Sequence, residues 1–245
     1  MIKFGTLYGI GVGPGDPELL TIKGARLLRE CRHIFVPKAR TAAESVARSI
    51  AGGFLDPAAR VHELVFPMTV DREELSQRWD ASAREIAAVL QSGEDACFLT
   101  LGDPLLYSTY IYLLRAIREQ LPEVGVVTVP GVTAFSAAAA LTGFPIGERK
   151  ERVTVIPTAD DLEDVRRALA SGGTVILMKI GKRLGEIVNL LEEFGLLDRS
   201  VFVSHAGMER QRVETDLRRL RQEGPEAGYL SIILVHSQVN TNSKF

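Results

Sequence analysis

Residues 6–17, TLYGIGVGPGDP, decide how the rest of the chain is read. An apolar run over residues 6–12 enters a Gly-Pro loop, after which Asp16 stands where a helix N-cap belongs and Pro17 takes the first helical position. That order opens a βα unit, and the helix is expected to carry Leu19, Leu20, Ile22, Leu27 and Leu28. Further along the chain, residues 33–36 read as a strand stopped by Pro37, and residues 42–50 and 73–90 as helices. A buried strand at 96–101 ends in Gly102-Asp103-Pro104, and a helical pattern resumes over 105–120. A further strand at 124–129 ends in Pro130-Gly131, followed by a small-residue helix at 132–141. Short β-branched runs alternating with helical stretches predict an α/β fold of parallel strands and crossover helices.

After this apolar helix the chain turns polar over residues 143–152, GFPIGERKER, and that change predicts a boundary. Two α/β domains are expected, 1–142 and 153–245, joined by a linker at 143–152. The second should hold strands at 153–157, 174–178, 200–204 and 230–236, helices at 162–170, 184–194 and 216–222, and a frayed tail at 239–245. With 245 residues, 46% of them apolar, the chain can bury cores without metal or disulfides. Its 29 basic and 31 acidic residues leave a net charge of −2, which argues against nucleic acid or an anionic membrane as partner, so any anion site must be local. Cys31 and Cys97 show no CxxC spacing, the four histidines (His33, His62, His205, His236) show no HxxxH or HExxH spacing, and no long uncharged apolar run occurs. A soluble, unprocessed, cytoplasmic protein without its own metal is expected.

In an open α/β sheet, ligands sit at the carboxyl ends of the strands, so the loops GVGPGDP, LGDP and PGVTA are the first places to search. Glycines there admit ligands to the main chain. The first loop partly matches a dinucleotide fingerprint, but Asp16 takes the sixth position, where a glycine belongs and where a carboxylate would repel a pyrophosphate. By itself that loop reads equally well as a capped turn.

Taken together, GVGPGDPELLT at residues 11–21, LGDPLLYS at 101–108 and PGVTAFSAAAA at 130–140 resemble the tetrapyrrole (corrin/porphyrin) methylase family in order and spacing. The resemblance implies two α/β domains, usually dimeric, binding S-adenosylmethionine between them, with a tetrapyrrole as substrate. Family members acting on uroporphyrinogen carry an acidic residue soon after the second strand, and HIFVPK at 33–38 has none. The opening at residues 7–28, VPKA at 36–39 and GYLSIILV at 228–235 are most similar to members that methylate C20 of precorrin-2 or its cobalt-containing counterpart, cobalt-factor II, in cobalamin synthesis. By resemblance the cofactor residues are Pro14, Leu101, Gly102, Asp103, Leu106, Tyr107, Thr133, Ala134, Met178, Ala206 and Ser231, with alanine at 206 where relatives often have glycine.

A substrate with eight carboxylates calls for a local basic rim. Lys38, Arg40, Arg149, Lys150 and Arg152 lie in expected loops, and Lys179, Lys182 and Arg183 follow a second-domain strand; the first four are taken as substrate ligands. No catalytic base is assigned. Asp103 is a candidate, but a carboxylate after a strand and before Pro104 more often fixes its own loop or a cofactor hydroxyl. A dinucleotide-dependent oxidoreductase, a non-catalytic tetrapyrrole carrier, and methylases acting on other ring positions or on a modified protein histidine are the competing readings.

Overall fold

A computed structural model describes residues 4–39, 44–66, 71–159 and 161–237. The contacts divide the chain into two compact units, Met1–Thr133 and Ala134–Phe245. The division falls ahead of residues 143–152, the stretch expected to link the domains. Those residues carry contacts of the second unit: Phe144 stacks on His236 at 4.0 Å, and the Arg152 carbonyl accepts from the Thr174 N–H at 2.8 Å. Polar composition alone did not distinguish a linker from an ordered surface turn.

In the first unit, β1 (Thr6–Gly11), β2 (His33–Ala39), β3 (Arg60–Phe66), β4 (Ala96–Thr100) and β5 (Gly125–Val129) form one sheet in the order β3-β2-β4-β1-β5. Every pairing in it is parallel, as expected. The helices are α1 (Ile22–Glu30), α2 (Val46–Ala51), α3 (Arg72–Gln91) and α4 (Tyr110–Gln120). Leu7, Phe35, Leu64, Phe66 and Phe98 form one core with Ala83, Ile86 and Leu90 of α3 and with Tyr110, Leu113 and Ile117 of α4. The opposite face of the sheet lies towards α1, where the Cys97 thiol reaches the Leu27 carbonyl at 3.9 Å. Burying each such large side chain contributes about 1.5–3 kcal/mol.

Several expected boundaries move, each for a local reason. Asp16 does cap, accepting from the Glu18 N–H at 2.9 Å, but it caps only a 3-10 turn at Pro17–Leu19. Thr21 then opens α1 by accepting from the Gly24 N–H at 3.1 Å. Pro37 does not stop β2: beyond Phe35 the strand pairs only with β3, so a missing N–H is tolerated. Strand β3 stands where no strand was expected, and its alternation places Leu64 and Phe66 in the core and Val65 at the surface. Helix α4 starts at Tyr110 because residues 101–108 form the loop.

The second unit holds α5 (Ala134–Thr142), β6 (Val153–Ile156), α6 (Leu162–Ala170), β7 (Thr174–Met178), α7 (Leu184–Glu193), β8 (Ser200–Ser204), β9 (Arg212–Glu214) and β10 (Ser231–His236). Its sheet runs β6-β7-β10-β8-β9. Only β6–β7 is parallel; β10 lies antiparallel to β7 and β8, and β9 antiparallel to β8, so the all-parallel expectation holds for the first sheet alone. Val175, Leu177, Phe202, Ile233 and Val235 pack with Val165 and Leu169 of α6 and with Ile187, Val188 and Leu191 of α7. The expected helix at 216–222 is a 3-10 turn at Leu217–Leu220, capped by Asp216.

Candidate functional site

Within the first unit, the loops after β1, β4 and β5 meet at the carboxyl edge of the sheet. The seam is made of peptide groups. Gly102 N–H donates to the Gly13 carbonyl at 2.8 Å and Gly13 N–H to the Gly102 carbonyl at 3.3 Å, an isolated antiparallel bridge between loops far apart in sequence. A methyl group on Gly11 or on Gly131 would run into the Gly102 carbonyl oxygen, so glycine at both positions is what lets three backbones touch. Gly102 itself has φ 71, and nothing lies within 4 Å of where its Cβ would point.

Asp103 holds the seam. Its Oδ1 accepts from the Leu105 N–H at 2.8 Å and its Oδ2 from the Gly131 N–H at 3.0 Å, so each carboxylate oxygen is engaged by a different loop. The loop-fixing alternative for Asp103 is therefore the one the geometry realises. Below it, Thr100 and Ser108 share a buried hydroxyl contact at 2.9 Å, and Ser108 accepts from the Tyr110 N–H at 3.0 Å. These bonds bend residues 101–108 outward and place Leu105 and Tyr107 at the surface, 57% and 45% exposed, with Leu106 between them. Tyr107 has φ 51, a left-handed conformation that a side-chain-bearing residue adopts only when its surroundings compel it. Pro14 is buried beside the seam, Leu101 opens the β4 loop, and Thr133 follows the β5 loop.

The dinucleotide alternative meets a specific obstacle here. The Asp16 carboxylate already occupies the Glu18 N–H group, and the first loop leads into a three-residue 3-10 turn rather than directly into a helix N-terminus; α1 starts only at Ile22.

In the second unit, Met178, Ala206 and Ser231 share one edge of the sheet: Met178 pairs with Ile232 and Ser231 with Ser204, at the end where β7 and β8 finish and β10 begins. Ala206 is 7% exposed and stands between His205, φ 51, and Gly207, φ 75. With Lys179 at φ 49 and Leu230 at φ 46, three side-chain-bearing residues at this edge adopt left-handed backbone. The Ser231 hydroxyl donates to the Gly228 carbonyl at 2.7 Å, a local use that resemblance could not foretell. Ala134 begins α5. Lys179, Lys182 and Arg183 follow β7 at this same edge, with Arg183 paired to Glu186 at 2.8 Å.

Of the expected substrate ligands, Lys38 lies at the carboxyl end of β2, in the sheet that carries the seam. Arg40 lies outside the described residues. Arg149 and Lys150 are exposed and precede β6, whose first residue pairs with the first of β7; they stand at the edge of the second sheet opposite Met178, Ala206 and Ser231. Which end of a strand a basic loop residue follows depends on strand direction, which loop composition does not encode. Among the described residues no group of three or more His, Cys, Asp or Glu side chains is arranged to hold a metal ion.

Residues 6–221 match the family described as Tetrapyrrole (Corrin/Porphyrin) Methylases. A cobalt-precorrin-2 C(20)-methyltransferase of Salmonella typhimurium is 33% identical over 234 residues, 96% of this chain and 97% of the relative. A precorrin-2 C(20)-methyltransferase of Sinorhizobium sp is 30% identical over 96% of both. Among solved structures, the uroporphyrin-III C-methyl transferase of Thermus thermophilus complexed with S-adenosyl homocysteine superposes with a TM-score of 0.63, 23% identity, and 95% and 97% coverage, a likeness of fold. The chain belongs to the tetrapyrrole (corrin/porphyrin) methylase family.

Proposed function

We propose that this protein transfers a methyl group from S-adenosylmethionine to C20 of precorrin-2 or cobalt-factor II, in cobalamin biosynthesis. The observation that carries the reading is the match to a cobalt-precorrin-2 C(20)-methyltransferase over 97% of that relative's length. The three-loop seam supports it: Gly102 has φ 71 and nothing lies within 4 Å of where its Cβ would stand, so no side chain covers the main chain of the β4 loop at that point. On this reading Pro14, Leu101, Gly102, Asp103, Leu106, Tyr107 and Thr133 serve the cofactor from the first unit, and Ala134, Met178, Ala206 and Ser231 from the second.

S-adenosylmethionine, when bound, supplies an electrophilic methyl group on a positively charged sulfur. What the chain must do is align and desolvate. Methyl transfer to a neutral carbon disperses charge in the transition state, so Leu105, Leu106 and Tyr107 favour the step by excluding water. C20 of a reduced tetrapyrrole is enamine-like and already nucleophilic, so no residue need activate it. Asp103 acts by holding the loops in register, because both its oxygens accept backbone N–H groups. The proton lost from C20 after transfer is assigned to no side chain.

The same reading makes the enzyme cytoplasmic and homodimeric. The first is supported by two free, buried cysteines, usage suited to a reducing compartment; sedimentation tests the second. No helix of the described residues is long and apolar enough to cross a membrane. For the reaction itself, purified protein is incubated with methyl-labelled S-adenosylmethionine and each tetrapyrrole, and the methyl group is located by NMR. Label at C20 is expected; label at another ring carbon, or none, removes the proposal.

A further inference from the structure

The first sheet contains a charged cluster that the cofactor residues do not use. Lys38, one residue from the end of β2, bonds through Nζ to Glu63 Oε2 of β3 at 2.9 Å, and Arg48, in the first turn of α2, approaches Glu63 Oε1 at 3.5 Å. Register explains the meeting. Val36 pairs with Glu63, so Lys38 and Glu63 are diagonal neighbours on one face of the sheet, and α2 packs over β2.

Two cations share one carboxylate, which leaves an excess of one positive charge. The lysine is also unusually covered, its side chain only 21% exposed, while the Arg48 side chain is 46% exposed. Lys38 has three N–H donors and Arg48 five, so most of them remain for an external acceptor. The Glu63 carboxyl is held below the usual carboxylate range, first by the Lys38 hydrogen bond, so it stays ionised near neutrality and keeps bracing the pair. The location also fits. Phe35 of β2 pairs with Phe98 of β4, and both strands run on to the same sheet edge, β4 directly into the Gly102-Asp103 loop. Lys38 therefore leaves the sheet one strand away from the seam.

From this juxtaposition we infer that Lys38 and Arg48, cross-braced by Glu63, form a binding subsite for a carboxylate side chain of the macrocyclic substrate. The inference rests on the methylase reading for its ligand class and adds Arg48 as a ligand and Glu63 as a positioning residue. Glu63 also limits the subsite: its carboxylate offsets one of the two cations, leaving a net charge matched to one external carboxylate.

Uroporphyrin, a fluorescent macrocycle with eight carboxylates, tests the subsite without turnover. It is titrated into the wild-type protein and into Lys38→Met and Arg48→Met, which keep an apolar stem against the sheet while removing the charge. S-adenosylhomocysteine affinity and melting temperature are measured in parallel. The expected result is porphyrin affinity weakened about tenfold in each variant, with S-adenosylhomocysteine affinity held within about twofold. Glu63→Gln should weaken the porphyrin by a smaller factor, because its cations lose their brace. If the cluster only staples β2, β3 and α2, the melting temperature falls and porphyrin affinity stays within about twofold, which overturns the subsite. Failure of the wild-type protein to bind the porphyrin overturns it as well. Porphyrin binding that responds to both substitutions, alongside no methylation at C20, would refute the assigned reaction and leave the subsite standing.

Discussion

At the scale of single residues, Asp103 shows how a short motif and a distant partner combine. Its own loop marks it as important, but the Gly131 N–H it accepts lies 28 residues away, and nothing local names that partner. Replacing it with asparagine keeps an oxygen for Leu105 and sets an amide donor against the Gly131 donor. Asp103→Asn is expected to weaken S-adenosylhomocysteine binding about tenfold and to cost about 1–2 kcal/mol of stability, measured by calorimetry and denaturant titration. Unchanged affinity would dismiss the seam as a cofactor support. Gly11 and Gly131 make the same point, since their glycines were visible in the sequence but the reason, a shared approach to the Gly102 carbonyl, was not.

At the scale of elements, the four histidines lie in or directly after strands. His33, the first residue of β2, meets His62 of β3 through Nδ1 and Nε2 at 3.1 Å and Glu94 at 3.2 Å, while Phe35 stacks on the His62 ring at 4.4 Å. Burial, then the neighbouring His33, holds His62 below the ordinary imidazole value of 6.5; burial also lowers His205, helped by Arg210, and lowers His236 against the pull of Glu151. A depressed folded-state value means that the unfolded chain takes up protons which the folded chain refuses. Stability from these groups is therefore complete above 6.5 and is lost as the pH falls below it towards the folded values. The melting temperature is expected to fall as pH drops from about 7 to about 5.5, and His62→Gln should flatten part of that slope. A flat profile in the wild type would contradict the burial argument. Edge position also hides β3 from a local pattern: His62 and Glu63 interrupt the apolar run in RVHELVF, and only pairing with β2 reveals them as two faces of one strand.

At the scale of the whole molecule, a net charge of −2 opposes an anionic substrate, so affinity for a polycarboxylate must come from local cations. Raising potassium chloride from about 50 mM to about 500 mM should therefore weaken tetrapyrrole binding several-fold, while S-adenosylhomocysteine affinity stays within about twofold. Equal salt sensitivity of the two ligands would argue against a distinct cationic subsite. The α/β class, the parallel first sheet and the three glycine loops were legible in the sequence, because strand periodicity and glycine-proline punctuation are local signals, while the family followed from the resemblance of those loops in order and spacing. Tertiary structure alone decided the antiparallel placement of β10, the role of Asp103 as a bond between loops, the position of Arg149 and Lys150 at the far edge of their sheet, and the meeting of Lys38 with Glu63 and Arg48. Each of these depends on register and strand direction, which place residues far apart in the chain within hydrogen-bonding distance and which no window of sequence encodes.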